Sequence, residues 1–280
     1  MKLPLILLAL PLAAQFSPLS LLSLETPPPT ARAAYGPSGL HFAELRVPPG
    51  PGPHPVVALV HGGCWADRLP GLDPRATSLD LLRPLAAALA QSGIASYNIE
   101  YRRAGNPGGG FPGTYQDLTQ ALDHLRTLAP KHNLDLRRLV LAGHSYGGQL
   151  ALWLAARTSL KPTHAFNIDG PPTLTAAQPV ERNFCPVPAV TNFLGGAPDA
   201  HPDRYREGSV ESFLPIAARQ TLVVGGLLRK APALYQPYAK QSGAAVLELP
   251  GDSHFEMLAP ASEPGKTLLQ ALRRAAGHNE

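Results

Sequence analysis

Apolar and polar positions along this chain change period repeatedly, and each change marks an element. Residues 41–47 (His-Phe-Ala-Glu-Leu-Arg-Val) alternate like an edge strand, and the proline- and glycine-rich residues 48–53 read as a turn. Residues 56–60 are apolar without interruption, the pattern of a strand buried on both faces. A helical period over residues 79–92 stops at Gly93, a residue that tolerates the left-handed turn after a helix. A strand over 94–99 follows, then an amphipathic helix over 114–128 with Leu118, Leu122 and Leu125 on one face. The same reading places strands at 138–142 and 164–168 around a helix at 148–157. Beyond a weakly periodic, proline-rich stretch (170–218) come strand 220–224, helix 232–241, strand 245–249 and helix 266–276. Alternation of this kind predicts an α/β fold: a mostly parallel sheet flanked by helices on both faces.

With 280 residues and 44% hydrophobic content, the chain suffices for one large domain with a full core. Its net charge of +4 is spread without a basic stripe or interleaved aromatics, so nucleic acid is not an expected partner. Residues 1–33 have a different character. Lys2 precedes an apolar run to Leu24, followed by Pro27-Pro28-Pro29, which matches a secretory signal peptide and leader. Leu12-Ala13-Ala14 and Ala31-Arg32-Ala33 are the two candidate cleavage sites, the second being the better Ala-x-Ala. Pro4, Pro11 and Pro18 interrupt the run and argue against a stable membrane span. The expectation is therefore an exported protein, periplasmic or extracellular, with an uncleaved membrane anchor or a misplaced start as alternatives. Residues up to about Ala34 are expected to stay outside the fold, and 34–280 to form the domain. The two cysteines, Cys64 and Cys185, are too few for a disulfide framework; packing is the preferred role for Cys64, and pairing stays open. No Cys/His cluster has metal-ligand spacing, and no metal or organic cofactor is expected.

Three short segments carry candidate chemistry. Gly143-His144-Ser145-Tyr146-Gly147 lies between a predicted strand and a predicted helix, so Ser145 sits at the apex of a sharp turn as a candidate nucleophile. His61-Gly62-Gly63-Cys64-Trp65 directly follows the 56–60 strand. Its glycines let the N–H groups of Gly63 and Cys64 turn inward and meet that of Tyr146 as an oxyanion site. Gly251-Asp252-Ser253-His254-Phe255 follows the last strand and offers His254 as the base. Trp65, Phe111, Tyr146 and Phe255 are expected around the pocket mouth, with Trp65 among the substrate-binding residues.

These segments, with Asn98-Ile-Glu-Tyr-Arg-Arg103, Gly108-Gly-Gly-Phe-Pro-Gly-Thr114 and Asp117, resemble α/β-hydrolase esterases related to bacterial feruloyl and acetyl esterases and to kynurenine-formamidase-like enzymes. The resemblance spans roughly residues 40–275. It implies a serine hydrolase with a small cap at 170–218, after the sixth strand, and a structural role for Arg102, Arg103 and Asp117. In such enzymes the acid follows the seventh strand, where this chain has Gly225-Gly226-Leu227-Leu228; no carboxylate occurs between Glu211 and Glu248. Asp169, at the end of the sixth strand, is the favoured replacement, similar to lipases that carry their acid there. Asp252 and Glu100 fit less well, and a Ser–His dyad or a relative without turnover stand as alternatives. The expected activity is hydrolysis of small carboxylic esters, with an amidase or peptidase on the same site as the rival, and oligomeric state is left open.

Overall fold

The computed structural model describes residues 16–71 and 73–278. A single eight-stranded sheet organises them, built from β1 (Ala31–Ala34), β2 (Phe42–Arg46), β3 (His54–Val60), β4 (Ala95–Ile99), β5 (Leu134–His144), β6 (His164–Ile168), β7 (Arg219–Val224) and β8 (Ala245–Glu248). Their spatial order is β1-β2-β4-β3-β5-β6-β7-β8. The first two strands pair antiparallel and the remaining six run parallel.

Strand β3 shows why both faces are covered. Successive strand residues point to opposite faces, and Val56, Ala58 and Val60 enter one core while Val57 and Leu59 enter the other. The first core is closed by α3 (Gly113–Leu128) through Leu118, Leu122 and Leu125, and by α4 (Tyr146–Arg157) through Leu150 and Leu154. The second is closed by α2 (Arg83–Gln91) through Leu85 and Leu89, and by α9 (Glu263–Ala275) through Leu268 and Leu272. A third, smaller core gathers Leu222, Val224 and Leu228 against Tyr238 of α8 (Gln236–Ser242). The 170–218 stretch forms the expected insertion, with short helices α5 (Leu174–Ala177), α6 (Ala189–Leu194) and α7 (Pro202–Gly208).

The N-terminal region departs from expectation. Ala31–Ala34 pairs with Phe42–Arg46 at the sheet edge, and a five-residue helix, α1 (Pro18–Leu22), packs Leu21 into the second core. Ala-Arg-Ala-Ala buries little, so β1 is held by main-chain pairing that hydrophobic patterning does not register. The run before Gln15, with the Leu12-Ala13-Ala14 site, lies outside the described residues. Among the described residues no helix is long and apolar enough to cross a membrane.

Candidate active site

Ser145 joins the end of β5 to the start of α4 with φ 56° and ψ −134°, a conformation costly for any residue but glycine. The glycines around it are there for clearance. A Cβ on Gly143 would lie 1.9 Å from the Gly147 carbonyl oxygen, and one on Gly147 would lie 2.3 Å from that of Val60. The Ser145 N–H donates to the Ile168 carbonyl at 2.8 Å, which locks the turn to β6.

Asp169, the residue after β6, is fully buried and also has positive φ, 52°. Its Oδ2 accepts from His254 Nδ1 at 2.7 Å and from the Leu227 N–H at 2.9 Å. Its Oδ1 accepts from the N–H groups of Gly225 (2.8 Å) and Leu228 (2.9 Å). Burial by itself would raise the carboxyl's pKa. The hydrogen bond and charge of His254, with the Leu228 and Leu227 N–H donors, outweigh it and hold the group below the usual carboxylate range. The β7 loop that lacks an acid thus cradles one from the neighbouring strand with its backbone.

His254 opens into the same cavity as Ser145. Its loop is held from below by His144, whose Nε2 donates to the His254 carbonyl at 2.8 Å. Burial, and then the proximity of His254, push the His144 pKa down to about 3, so this imidazole is neutral at ordinary pH. Asp252 faces outward and pairs with Arg229 at 3.1 Å; Glu100 lies under the other side of the site.

That other side is the segment after β3. Residues 63–65 have φ of 94°, 54° and 48°, three consecutive left-handed conformations of which only the first is a glycine. The N–H groups of Gly63 and Cys64 donate to no acceptor among the described residues. Below the segment, His61 Nε2 meets Glu100 Oε1 at 3.0 Å, Arg103 also pairs with Glu100, and the Tyr101 hydroxyl donates to the His61 carbonyl at 2.6 Å. Asp117 pairs with Arg102 at 2.6 Å and with His41 at 3.1 Å, bracing the next loop. Cys64 forms a disulfide with Cys185 of the insertion, 121 residues away, in place of the packing role expected for it.

The expectation for Trp65 is corrected. It is fully buried between Tyr146 and Phe193, with ring centroids 4.4 and 4.3 Å away, because its left-handed backbone turns the side chain down into the core. It does not line the cavity. Phe111 faces a separate groove with Tyr115 and Trp153, whereas Tyr146 and Phe255 do line the cavity beside Ser145. The space measures about 340 Å³ and is walled by Leu69, Leu81, Phe184, Pro186 and Leu227, with Gly63 and Cys64 at its rim. Phe184 and Leu69 carry no signal in the sequence that places them at the cavity. The pairing of Cys64 with Cys185 had one readable signal, two lone cysteines behind an export leader. A larger cavity of about 640 Å³ borders Cys64 from the other side, between Asp67, Ala104 and Asn192, and reaches neither Ser145 nor His254.

A parallel sheet with a serine on the strand–helix turn after β5 and a histidine after β8 defines an α/β-hydrolase. The model of the BD-FAE family matches residues 45–198, more than half of the chain, and the chain belongs to that family of α/β-hydrolase esterases. A search of curated proteins gives no significant match. Among solved structures, esterase B from Lactobacillus rhamnosis superposes with a TM-score of 0.72 at 17% identity, over 93% of this chain and 90% of that one. A bacterial heroin esterase gives 0.69 at 21% identity, over 92% and 88%. A bifunctional GH43-CE protein from Bacteroides eggerthii gives 0.67 at 17% identity over 88% of this chain, which spans only 35% of that protein's length. At these identities the likeness is one of fold.

Proposed function

We propose that the protein hydrolyses carboxylic esters through an acyl-enzyme on Ser145. The carrying observation is the 2.7 Å contact between His254 Nδ1 and the buried Asp169, at a histidine that shares a cavity with Ser145. In this reading Ser145 Oγ attacks the ester carbonyl and its proton passes to His254 Nε2. Asp169 fixes the tautomer and stabilises the imidazolium. The N–H groups of Gly63, Cys64 and Tyr146 receive the oxyanion. His254 then returns the proton to the departing alcohol, and water attacks the acyl carbonyl with His254 as base, releasing the carboxylic acid and free serine.

The cavity walls are mainly apolar, and among the described residues no carboxylate, lysine or arginine side chain lines it, so the substrate is a compact, uncharged ester. Support comes from the family and from esterase B, which has been solved with a tributyrin phosphonate inhibitor. We also read the protein as exported, which the Cys64–Cys185 bridge favours because disulfides persist in oxidising compartments. Covalent labelling with a fluorophosphonate tests the proposal: stoichiometric labelling that disappears in Ser145→Ala is the expected result. A folded protein that does not label would instead be a binding protein on a hydrolase fold.

A further inference from the structure

The stretch expected to be discarded as leader reaches the reactive cavity. Pro18 lines that cavity together with Ser145 and His254. Leu21, three residues on, is 1% exposed among Leu81, Leu82, Met257 and Leu258, and Phe16 and Leu22 pack against the same cluster. The main chain is tied as well. Ser253 Oγ donates to the Phe16 carbonyl at 3.2 Å while accepting from the N–H groups of Phe255 (3.2 Å) and Glu256 (3.1 Å). Residues 16–22 therefore strap the loop that carries His254 to the turn at Leu79–Leu82.

We propose that residues 16–22 form a fixed wall of the substrate cavity, and that Pro18 limits the length of the chain the cavity accepts. The proposal rests on the ester-hydrolase reading of Ser145. The physical ground is that a closed apolar wall discriminates by the methylene, at roughly 10–200-fold for each group that does not fit. Pro18 closes the cavity together with Leu69, Ala76 and Phe184, and in this reading a longer acyl or alcohol chain runs into Pro18. The wall also bears on maturation. Cleavage after Ala14 leaves it intact, whereas cleavage after Ala33 removes it with most of β1.

Two substitutions in the full chain test the wall in opposite directions. Leu21→Asp places a carboxylate where the segment docks and should release it. Pro18→Trp enlarges the wall of the cavity that Ser145 also lines. Specificity constants for p-nitrophenyl acetate, butyrate and octanoate are measured per labelled site, with the fluorophosphonate giving the number of assembled serines. Release should raise the octanoate-to-butyrate ratio at least tenfold, and Pro18→Trp should lower the butyrate-to-acetate ratio at least tenfold. Ratios within twofold of wild type in labelled protein overturn the wall and leave the ester-hydrolase reading standing. Should Leu21→Asp fail to fold, Pro18→Trp decides alone. No labelling of the wild type overturns the ester-hydrolase reading and the wall with it. Intact mass of the secreted protein gives an independent check. A chain starting at residue 15, or an uncleaved one, supports the proposal, and one starting at residue 34 overturns it.

Discussion

On one side of Ser145, Asp169 is held by three backbone N–H groups and one imidazole, all within 2.9 Å. On the other, residues 63–65 keep a left-handed backbone in which the N–H groups of Gly63 and Cys64 have no acceptor among the described residues, fixed by burial of Trp65 and by a covalent bond to the insertion. The acid side is over-determined by hydrogen bonds, each of which leaves an unsatisfied buried group when broken. The N–H groups of the other side, which in the proposed reading receive the oxyanion, have no such partners, so the rigidity of that side has to come from outside the donors. Pre-organisation is reached twice in one site, by polar saturation and by mechanical bracing.

The largest effect should come from breaking the acid side. Asp169→Asn keeps an acceptor for the cradle and removes tautomer control of His254, so kcat should fall by about 10⁴ with KM little changed. Steady-state kinetics on p-nitrophenyl butyrate measure this, and a loss under tenfold would take Asp169 out of the mechanism. The side proposed to receive the oxyanion should break more gently. Cys64→Ser combined with Cys185→Ser retains every N–H donor, and kcat is expected to drop about tenfold, well short of the 10²–10³ for outright loss of one donor. The same pair should cost about 4–5 kcal/mol in denaturant unfolding, as expected for a bridge closing a loop of this length.

A third expectation separates the two sides by pH. His144 is neutral in the fold, with its pKa pushed down to about 3, while an unfolded histidine titrates near 6.5. The unfolded chain therefore binds the extra proton between those values. Stability should fall by about 1.4 kcal/mol per pH unit as pH drops through that window, and level off below it. Asp169, whose carboxyl is depressed, contributes stability above about pH 4 that is lost only as pH falls further. His144→Gln preserves a donor to the His254 carbonyl, and urea titrations from pH 7 to 4 should show its slope reduced by one proton. The smallest effect belongs to Asp252→Asn. This exposed partner of Arg229 should change stability by under about 0.5 kcal/mol and kcat/KM by less than twofold, despite its place two residues before His254.

Legibility in the sequence followed the same division. Val56 to Val60 announced a doubly buried strand because burial on two faces leaves no polar position, and the helices packed on it carried a clear 3.6-residue period. Glycines at 143 and 147 were readable because close approach admits nothing else. Ala31–Ala34 escaped because its contribution is main-chain pairing. Pro18 and Leu21 escaped because an apolar leader and an apolar wall have the same composition. Trp65 was misplaced because residue type alone does not say which way a left-handed backbone points its side chain. The pairing of Cys64 with Cys185 depends on two segments 121 residues apart, a distance over which no local pattern reaches.

The cradle around Asp169 has a consequence for how such a site changes over generations. Its donors are the backbone N–H groups of Gly225, Leu227 and Leu228, and every residue type but proline supplies such a group. An acid can therefore pass from the end of one strand to its neighbour while the vacated loop keeps its shape. Afterwards position 228 is free to drift among residues that fit the adjoining apolar core, as the fully buried Leu228 does, while close approach of Met257 and of the Asp252 carbonyl holds 225 and 226 to glycine. Inheritance of the site then runs through the path of the main chain, and two descendants can share it with different side chains at 227 and 228.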